Sequence, residues 1–218
     1  RDNPWVMATI LGIFPPSSFN TLLSVEEVQA AMDRKLREET YSFTQKRLGI
    51  DAARFGDDPW VLFPRQGLRA FQPVEMRNPR SHEVAARIAL ARERWDHEMA
   101  YFDDTGGYAA GAIDASLQAG LPTTPVNFAS KATDPRYFNK RAEMWFNMAE
   151  WVKKGGWLPK VDFLNGELTV PPYTFMRGKF IIEDKNQIKE RFGRAPNYAD
   201  ALALTFAFAD APAQRVDG

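Results

Sequence analysis

The sequence contains no cysteine among its 218 residues. This absence excludes a disulfide framework and any zinc or iron–sulfur site built on thiolates, and it fits a reducing compartment. Long apolar runs are also missing, since no stretch approaches the roughly 18–20 residues that a membrane helix needs. The opening RDNPWVMATILG lacks the charged and apolar regions of a signal peptide. The sequence therefore favours a soluble protein that is not secreted.

An excess of charge of either sign is missing as well, because 28 Lys and Arg residues balance 28 Asp and Glu residues. Proteins that bind phosphates usually carry a positive excess, so the composition argues against a strongly basic nucleic-acid-binding protein. The apolar share of 44% is enough to bury a sizeable core. A role on nucleic acid would have to come from local segregation of charge.

The chain divides into three parts by its composition and predicted secondary structure. Residues 1–44 read as a tail and one helix, which begins at an S-x-x-E capping box from Ser24 to Glu27 and runs to about residue 37. Residues 45–210 form the main domain, and residues 211–218 read as a flexible tail.

Within the main domain, short apolar runs separated by turns predict three antiparallel strands, and an alternation of helices and strands follows. This order predicts an α/β fold with a mixed sheet flanked by helices. The predicted strands are 48–53, 59–64, 68–74, 99–103, 125–128 and 178–183, and the predicted helices are 81–95, 107–118, 136–154 and 197–209.

Three groups of aspartates lie where solvated surface charge is not expected. Asp51 lies in a predicted strand, the pair Asp103 and Asp104 ends a later strand, and Asp200 lies one turn into an apolar helix. Each has an ordinary explanation when taken alone: a charge on an edge strand, a helix cap, or an acid at a helix N-terminus. In a mixed sheet, however, these positions can converge. Carboxylates that converge need cations between them, and all-oxygen ligands suit Mg²⁺ or Mn²⁺.

Four ordered segments carry a resemblance to a known family. Residues 49–58 read GIDAARFGDD, residues 104–114 read DTGGYAAGAID, residues 139–145 read NKRAEMW, and residues 195–206 read APNYADALALTF. Together they resemble the nuclease domain of the large terminase subunit of tailed bacteriophages, over nearly the whole chain. The resemblance implies a ribonuclease H-like fold, with a mixed sheet whose first three strands are antiparallel and whose later strands are parallel.

The sequence departs from the family pattern at two positions, where Ala195 and Asn197 stand in place of the usual Ser and Asp. Because two aspartates, Asp103 and Asp104, stand next to each other, the resemblance does not decide which of them is the second site residue. The spacing to the following glycines favours Asp104.

The resemblance implies an endonuclease that cuts concatemeric viral DNA during genome packaging with two Mg²⁺ or Mn²⁺ ions. Asp51 would bridge the two ions, and Asp104 and Asp200 would each complete the shell of one ion. Asp57 or Asp58 would be an auxiliary carboxylate. The ions would activate the attacking water and stabilise the leaving oxygen.

The family also implies partners and a location: double-stranded DNA, a terminase ATPase domain, a small terminase subunit and a portal protein, in the cytoplasm of the infected host. No G-x-x-x-x-G-K-S/T loop occurs in the sequence, so the ATPase domain is expected to be missing from this chain.

Two segments are locally basic and are candidates for DNA contacts. Residues 131–160 carry seven positive and three negative side chains, and residues 177–194 carry six positive and three negative. Phosphate binding needs such clusters, although a solvated helix face has the same composition. The candidates in the two segments are Lys131, Lys140, Arg141 and Lys185.

Other functions remain open at this point. A resolvase or transposase-type nuclease would share the metal site, and a sugar-kinase or actin-like ATPase also uses an aspartate on a first strand and an Asp-x-Gly-Gly turn. That ATPase class needs two such domains, for which this chain is too short. A docking module for DNA or the portal, without catalysis, is the alternative outside enzymes.

Overall fold

The computed structural model describes residues 20–52 and 58–213. The strands are β1 (Lys46–Asp51), β2 (Trp60–Gln66), β3 (Arg69–Ala70), β4 (Val74–Met76), β5 (Met99–Asp103), β6 (Thr123–Val126), β7 (Tyr173–Met176) and β8 (Lys179–Ile182). The helices are α1 (Val25–Asp33), α2 (Ser81–Trp95), α3 (Ala110–Gln118), α4 (Lys140–Lys153), α5 (Leu164–Thr169), α6 (Lys185–Phe192) and α7 (Asn197–Leu204).

The main sheet has the order β3-β2-β1-β5-β6, with β4 also paired to β2. Strand β1 is antiparallel to β2 but parallel to β5, and β5 is parallel to β6. This arrangement confirms the predicted mixed sheet, antiparallel first and parallel afterwards. A separate hairpin joins β7 to β8.

Helices cover both faces of the sheet, and β1 is buried on both sides. Leu48 and Ile50 pack in one cluster with side chains of α2 and α3, such as Val84 and Ile113. The opposite face packs against α7, which also contacts α4. Every residue of α7 is buried, as its apolar character on all sides predicted.

Gly49 brings α7 onto β1 backbone to backbone. A Cβ at this position would lie 1.9 Å from the carbonyl oxygen of Ala201 and 3.2 Å from the Cβ of Leu204. Only glycine can therefore occupy this point of the strand. The close approach sets α7 against the same face of β1 that carries Asp51.

Both ends of the described chain pack against the rest of the fold. Ser24 forms the predicted capping box with Glu27, and α1 packs against α4 and α5. Residues 211–213, at the start of the predicted tail, hydrogen-bond to Phe43 and Gln45. Residues 1–19, 53–57 and 214–218 lie outside the described residues.

Several element boundaries differ from those predicted. Helix α1 ends at Asp33 instead of residue 37, α7 ends at Leu204 instead of residue 209, and β6 begins at Thr123. The sequence reading missed α5, β7 and α6. None of the described helices combines the length and the apolar character needed to cross a membrane.

Replacing Gly49 with alanine tests the close approach. We expect Gly49→Ala to destabilise the protein by at least about 1–3 kcal/mol, because the clash is with a backbone oxygen that cannot rotate away. Urea unfolding followed by circular dichroism measures the difference.

Gly111→Ala is the matched control, because its Cβ would meet only the side chain of Ser81, whose hydroxyl at 2.7 Å can turn aside and whose Cβ at 3.6 Å is in ordinary contact. This variant should stay within about 1 kcal/mol of the parent, since alanine favours a helix over glycine. Equal midpoints for Gly49→Ala and the parent would contradict the packing argument.

Candidate active site

Asp51 and Asp103 end two neighbouring parallel strands. The register pairs Ile50 with Phe102, so the next positions, Asp51 and Asp103, lie side by side at the carboxyl edge of the sheet. Ile50 and Phe102 face the α2 and α3 side, and both aspartates therefore face the other way. Asp51 is completely buried, and Asp103 is partly buried.

Asp104, which the spacing favoured, lies beyond the end of β5. Its backbone N–H donates to the carbonyl oxygen of Val126. The charge of Asp103 raises the pKa of both Asp51 and Lys185. The structure therefore brings Asp103 to the side of Asp51, and the role of either aspartate as a site residue stays a prediction. Strand alternation alone could have indicated this placement, because Phe102 is apolar and faces the core.

Thr105 orients Asp103. The backbone N–H and the hydroxyl of Thr105 both donate to Asp103 Oδ1, at 2.9 and 2.5 Å. Burial raises the pKa of Asp103, while the hydrogen bonds from Thr105 act in the opposite direction. One carboxylate oxygen thus has a fixed direction.

Asp200 comes to the same place from α7 and is completely buried. Trp145 Nε1 donates to its Oδ1 at 2.7 Å, and Arg141 donates from Nε to Oδ1 at 2.9 Å and from Nη2 to Oδ2 at 3.3 Å. Arg141 and Trp145 are four residues apart on α4 and therefore share one helix face. The NKRAEMW segment thus supplies the side chains that hold Asp200.

The remainder of that segment is also engaged inside the protein. Lys140 is buried, with Nζ 2.8 Å from Glu143 Oε2, and Glu143 in turn accepts the backbone N–H groups of Thr133 and Asp134. Arg141 is buried as well and donates to the carbonyl oxygen of Glu183 at 2.7 Å. Both cations are therefore paired internally, and their predicted contact with DNA stays a prediction.

The ammonium group of Lys185 lies between the carboxylates. Its Nζ is 2.9 and 2.7 Å from the two oxygens of Asp51 and 3.8 Å from Asp200 Oδ2. The pKa of Asp51 is raised to about 7, because burial and the charges of Asp200 and Asp103 outweigh the opposing effect of Lys185. Burial disfavours the charged form of Lys185, but Asp51 and Asp200 outweigh it and raise the pKa of the lysine.

A cleft of about 770 Å³ opens at this edge of the sheet. Its lining includes Asp103, Lys185, Tyr108 at the start of α3, and Met176 on the β7–β8 hairpin. Asp58 also lines it and forms an ion pair of 2.6 Å with Lys189. The other predicted auxiliary carboxylate, Asp57, lies outside the described residues.

The chemistry of this site is that of clustered acids around a cation. Three carboxylates from β1, β5 and α7 meet beside one ammonium group. Asp103 and Lys185 line the cleft, whereas Asp51 and Asp200 are completely buried. In residues 20–52 and 58–213, no three imidazole or carboxylate side chains are placed to hold a metal ion as they stand.

Lys131 is exposed, and its predicted contact with DNA stays a prediction.

Comparison with known proteins finds likeness in structure alone. No protein-family model matches the sequence, and no curated protein matches it. The nuclease domain of the large terminase subunit gp2 of bacterial virus Sf6 is 18% identical with a TM-score of 0.68, over 88% of this chain and 100% of that domain. The large terminase nuclease from thermophilic phage G20c is 16% identical with a TM-score of 0.60, over 87% of this chain and 98% of that one.

Both of these neighbours also have metal-bound structures. A point variant of the Sf6 domain was solved with manganese, and the G20c nuclease was solved with bound magnesium. At these identities the likeness shows the fold, and it confirms the ribonuclease H-like fold implied by the four segments.

Removing the ammonium group should make stability depend more steeply on pH. The folded-state pKa of Asp51, about 7, lies above its ordinary value of 3.8, so its contribution is full below about pH 4 and is lost as the pH rises through 7. Lys185→Met raises this pKa further by removing a positive neighbour. We expect the fall in unfolding free energy from pH 5 to pH 8 to exceed that of the parent by about 1 kcal/mol or more, measured by urea unfolding.

Lys189→Met is the control on the same helix, because the Lys189–Asp58 pair is more exposed and contributes little. Its pH dependence should match that of the parent. Parallel pH profiles for Lys185→Met and the parent would show that Lys185 does not compensate the charge of Asp51.

Proposed function

We propose that this protein is a metal-dependent endonuclease that cleaves double-stranded viral DNA during genome packaging. The observation that carries the proposal is the meeting of Asp51, Asp103 and Asp200 around Lys185, next to a cleft that Asp103 and Lys185 line. The likeness of the fold to large terminase nuclease domains supports it. Clustered carboxylates beside an open cleft suit phosphodiester hydrolysis better than they suit passive docking.

The donor set fits two Mg²⁺ or Mn²⁺ ions, because all its atoms are carboxylate oxygens. Asp51 would be shared, and Asp103 and Asp200 would each hold one ion. The ions would supply polarisation of the phosphate and activation of a water molecule. For them to bind, Lys185 has to leave the position between Asp51 and Asp200.

The side chains around the aspartates prepare the site for this role. Arg141 and Trp145 fix the orientation of Asp200, and Thr105 fixes that of Asp103. Such preorganisation removes the cost of arranging ligands during the reaction. Lys185, once displaced from Asp51, is close enough to the cleft to contact a phosphate group of the substrate.

The biological setting follows from the same likeness. We propose that the domain works with a terminase ATPase domain, a small terminase subunit and a portal protein in the cytoplasm of an infected bacterium. Double-stranded DNA is the proposed substrate.

Plasmid cleavage tests the proposed activity. The parent should nick and linearise supercoiled DNA in Mn²⁺ and stop in EDTA. Asp51→Asn, Asp103→Asn and Asp200→Asn should each lose roughly 100-fold or more in rate, because each removes a carboxylate ligand.

Asp104→Asn is the matched control at the neighbouring position and should keep a rate close to that of the parent. Cleavage by Asp51→Asn at the parent's rate would refute the site. Loss in Asp104→Asn together with full activity in Asp103→Asn would reverse the assignment of the second ligand. DNA binding by the parent without any cleavage would favour a docking module.

Lysines outside the buried ion pairs should contact the DNA backbone. Lys189 lines the cleft, and Lys131 is exposed in the first basic segment. We expect Lys189→Ala and Lys131→Ala to weaken DNA binding and to reduce the slope of log affinity against log salt by about 1 each. Fluorescence anisotropy with a labelled duplex in EDTA, at several salt concentrations, measures both quantities.

Lys154→Ala is the control, since Lys154 is exposed, pairs with Glu150 and does not line the cleft. Its affinity and salt slope should match those of the parent. A salt slope unchanged by Lys189→Ala would remove this residue from the DNA interface.

A further inference from the structure

Helix α7 begins without a cap of its own. Its N-cap residue is Pro196, and no side chain at that position accepts a hydrogen bond. Instead, the backbone N–H groups of Tyr198 and Ala199 both donate to Glu167 Oε2, at 2.8 and 3.0 Å. Glu167 lies on α5 and is completely buried. A carboxylate from another helix therefore satisfies the first turn of α7.

The other oxygen of Glu167 connects to a third helix. Oε1 lies 2.8 Å from Arg194 Nη2. Arg194 follows the end of α6 by two residues, and its guanidinium group lies 3.9 Å from the ring centre of Phe163. Glu167 thus joins α5 to the end of α6 and to the start of α7, the two helices that carry Lys185 and Asp200.

Other contacts of the α7 backbone lie further along the helix. The backbone of Ala201 packs against Gly49, and the side chains of Arg47 and Arg65 donate to the carbonyl oxygen of Thr205 just beyond the end of the helix. Asp200 lies in the first turn, one residue after Ala199. The hydrogen bonds from Glu167 therefore restrain the helix backbone immediately before Asp200, as the Gly49 contact does immediately after it.

We infer that Glu167 is a positioning residue for the proposed nuclease, which acts on Asp200 through the first turn of α7. This inference rests on the proposed function. A displacement of about 1 Å at a reacting centre can cost roughly 100-fold in rate, and residues that orient metal ligands typically contribute about 10–100-fold. Glu167 is placed to control such a displacement without touching the substrate.

Glu143 makes a matched set of contacts elsewhere in the protein. It is buried, accepts two backbone N–H groups from Thr133 and Asp134, and pairs with Lys140 at 2.8 Å. It holds a loop instead of the start of α7. The comparison of Glu167→Gln with Glu143→Gln therefore separates positioning of Asp200 from the general cost of altering a buried glutamate.

The experiment measures Mn²⁺-dependent plasmid cleavage by the whole chain, well below the melting temperature of either variant. We expect Glu167→Gln to lower kcat by about 10-fold or more, to leave the KM for DNA within about twofold, and to raise the Mn²⁺ concentration at half-maximal rate. Glu143→Gln should keep kcat within about threefold of the parent. The rise in melting temperature caused by Mn²⁺ alone gives a second readout, independent of cleavage, and should shrink only in Glu167→Gln.

Arg194→Lys provides a second variant that keeps the positive charge but loses the planar contact with Phe163. It should lower kcat in the same direction by a smaller factor. Unchanged kcat and unchanged Mn²⁺ dependence in Glu167→Gln would overturn the inference, as would equal losses in Glu167→Gln and Glu143→Gln. A parent that cleaves DNA while Glu167→Gln behaves normally refutes the inference alone. A parent that neither cleaves DNA nor gains stability from Mn²⁺ refutes the proposed function and the inference with it.

Discussion

The contact between Gly49 and Ala201 is the constraint on which the site depends. A strand and a helix touch there backbone to backbone, since a Cβ would lie 1.9 Å from a carbonyl oxygen. Arg47, Gly49 and Asp51 occupy alternate positions on one face of β1 and have three separate tasks. Arg47 binds the chain just beyond α7, Gly49 admits the helix, and Asp51 meets Asp200 at the open edge. The position of the carboxylates is thus decided by packing of the backbone.

Buried ion pairs explain why a count of charges along the sequence does not by itself locate contacts with DNA. Lys140, Arg141 and Lys185 all lie in the locally basic segments, yet each is paired with a carboxylate of the interior. Removing two charges from water is costly, and it is tolerated only where geometry and further hydrogen bonds compensate. Arg141 meets this condition, since it also donates to Glu183. A local excess of positive charge in the sequence therefore reflects the acids of the core as well as any partner outside.

The sequence predicted what local patterns determine. Alternation along β1, the capping box at Ser24 and the apolar character of α7 all have a period or a motif within a few residues. The sheet topology and the fold were predicted as well. The hairpin strand β7 follows two prolines and has only four residues, and α5 has six, which is too short for a helical period. The pairs that define the site join residues far apart, such as Arg141 and Asp200, separated by 59 positions. No local pattern reports such a pair, because tertiary packing alone brings its members together.

The charge count around Lys185 shows why this residue and a metal ion compete under the proposed function. Asp51, Asp103 and Asp200 bring three negative charges, and Lys185 with Arg141 brings two positive ones. A divalent ion added beside both cations would give four positive charges against three, whereas an ion that replaces Lys185 gives three against three. Replacing the ammonium group by the ion would therefore keep positive and negative charges equal. This equality matters because burial makes an unpaired charge costly. Under the proposed function, a second ion would exceed this balance unless a phosphate group entered with it.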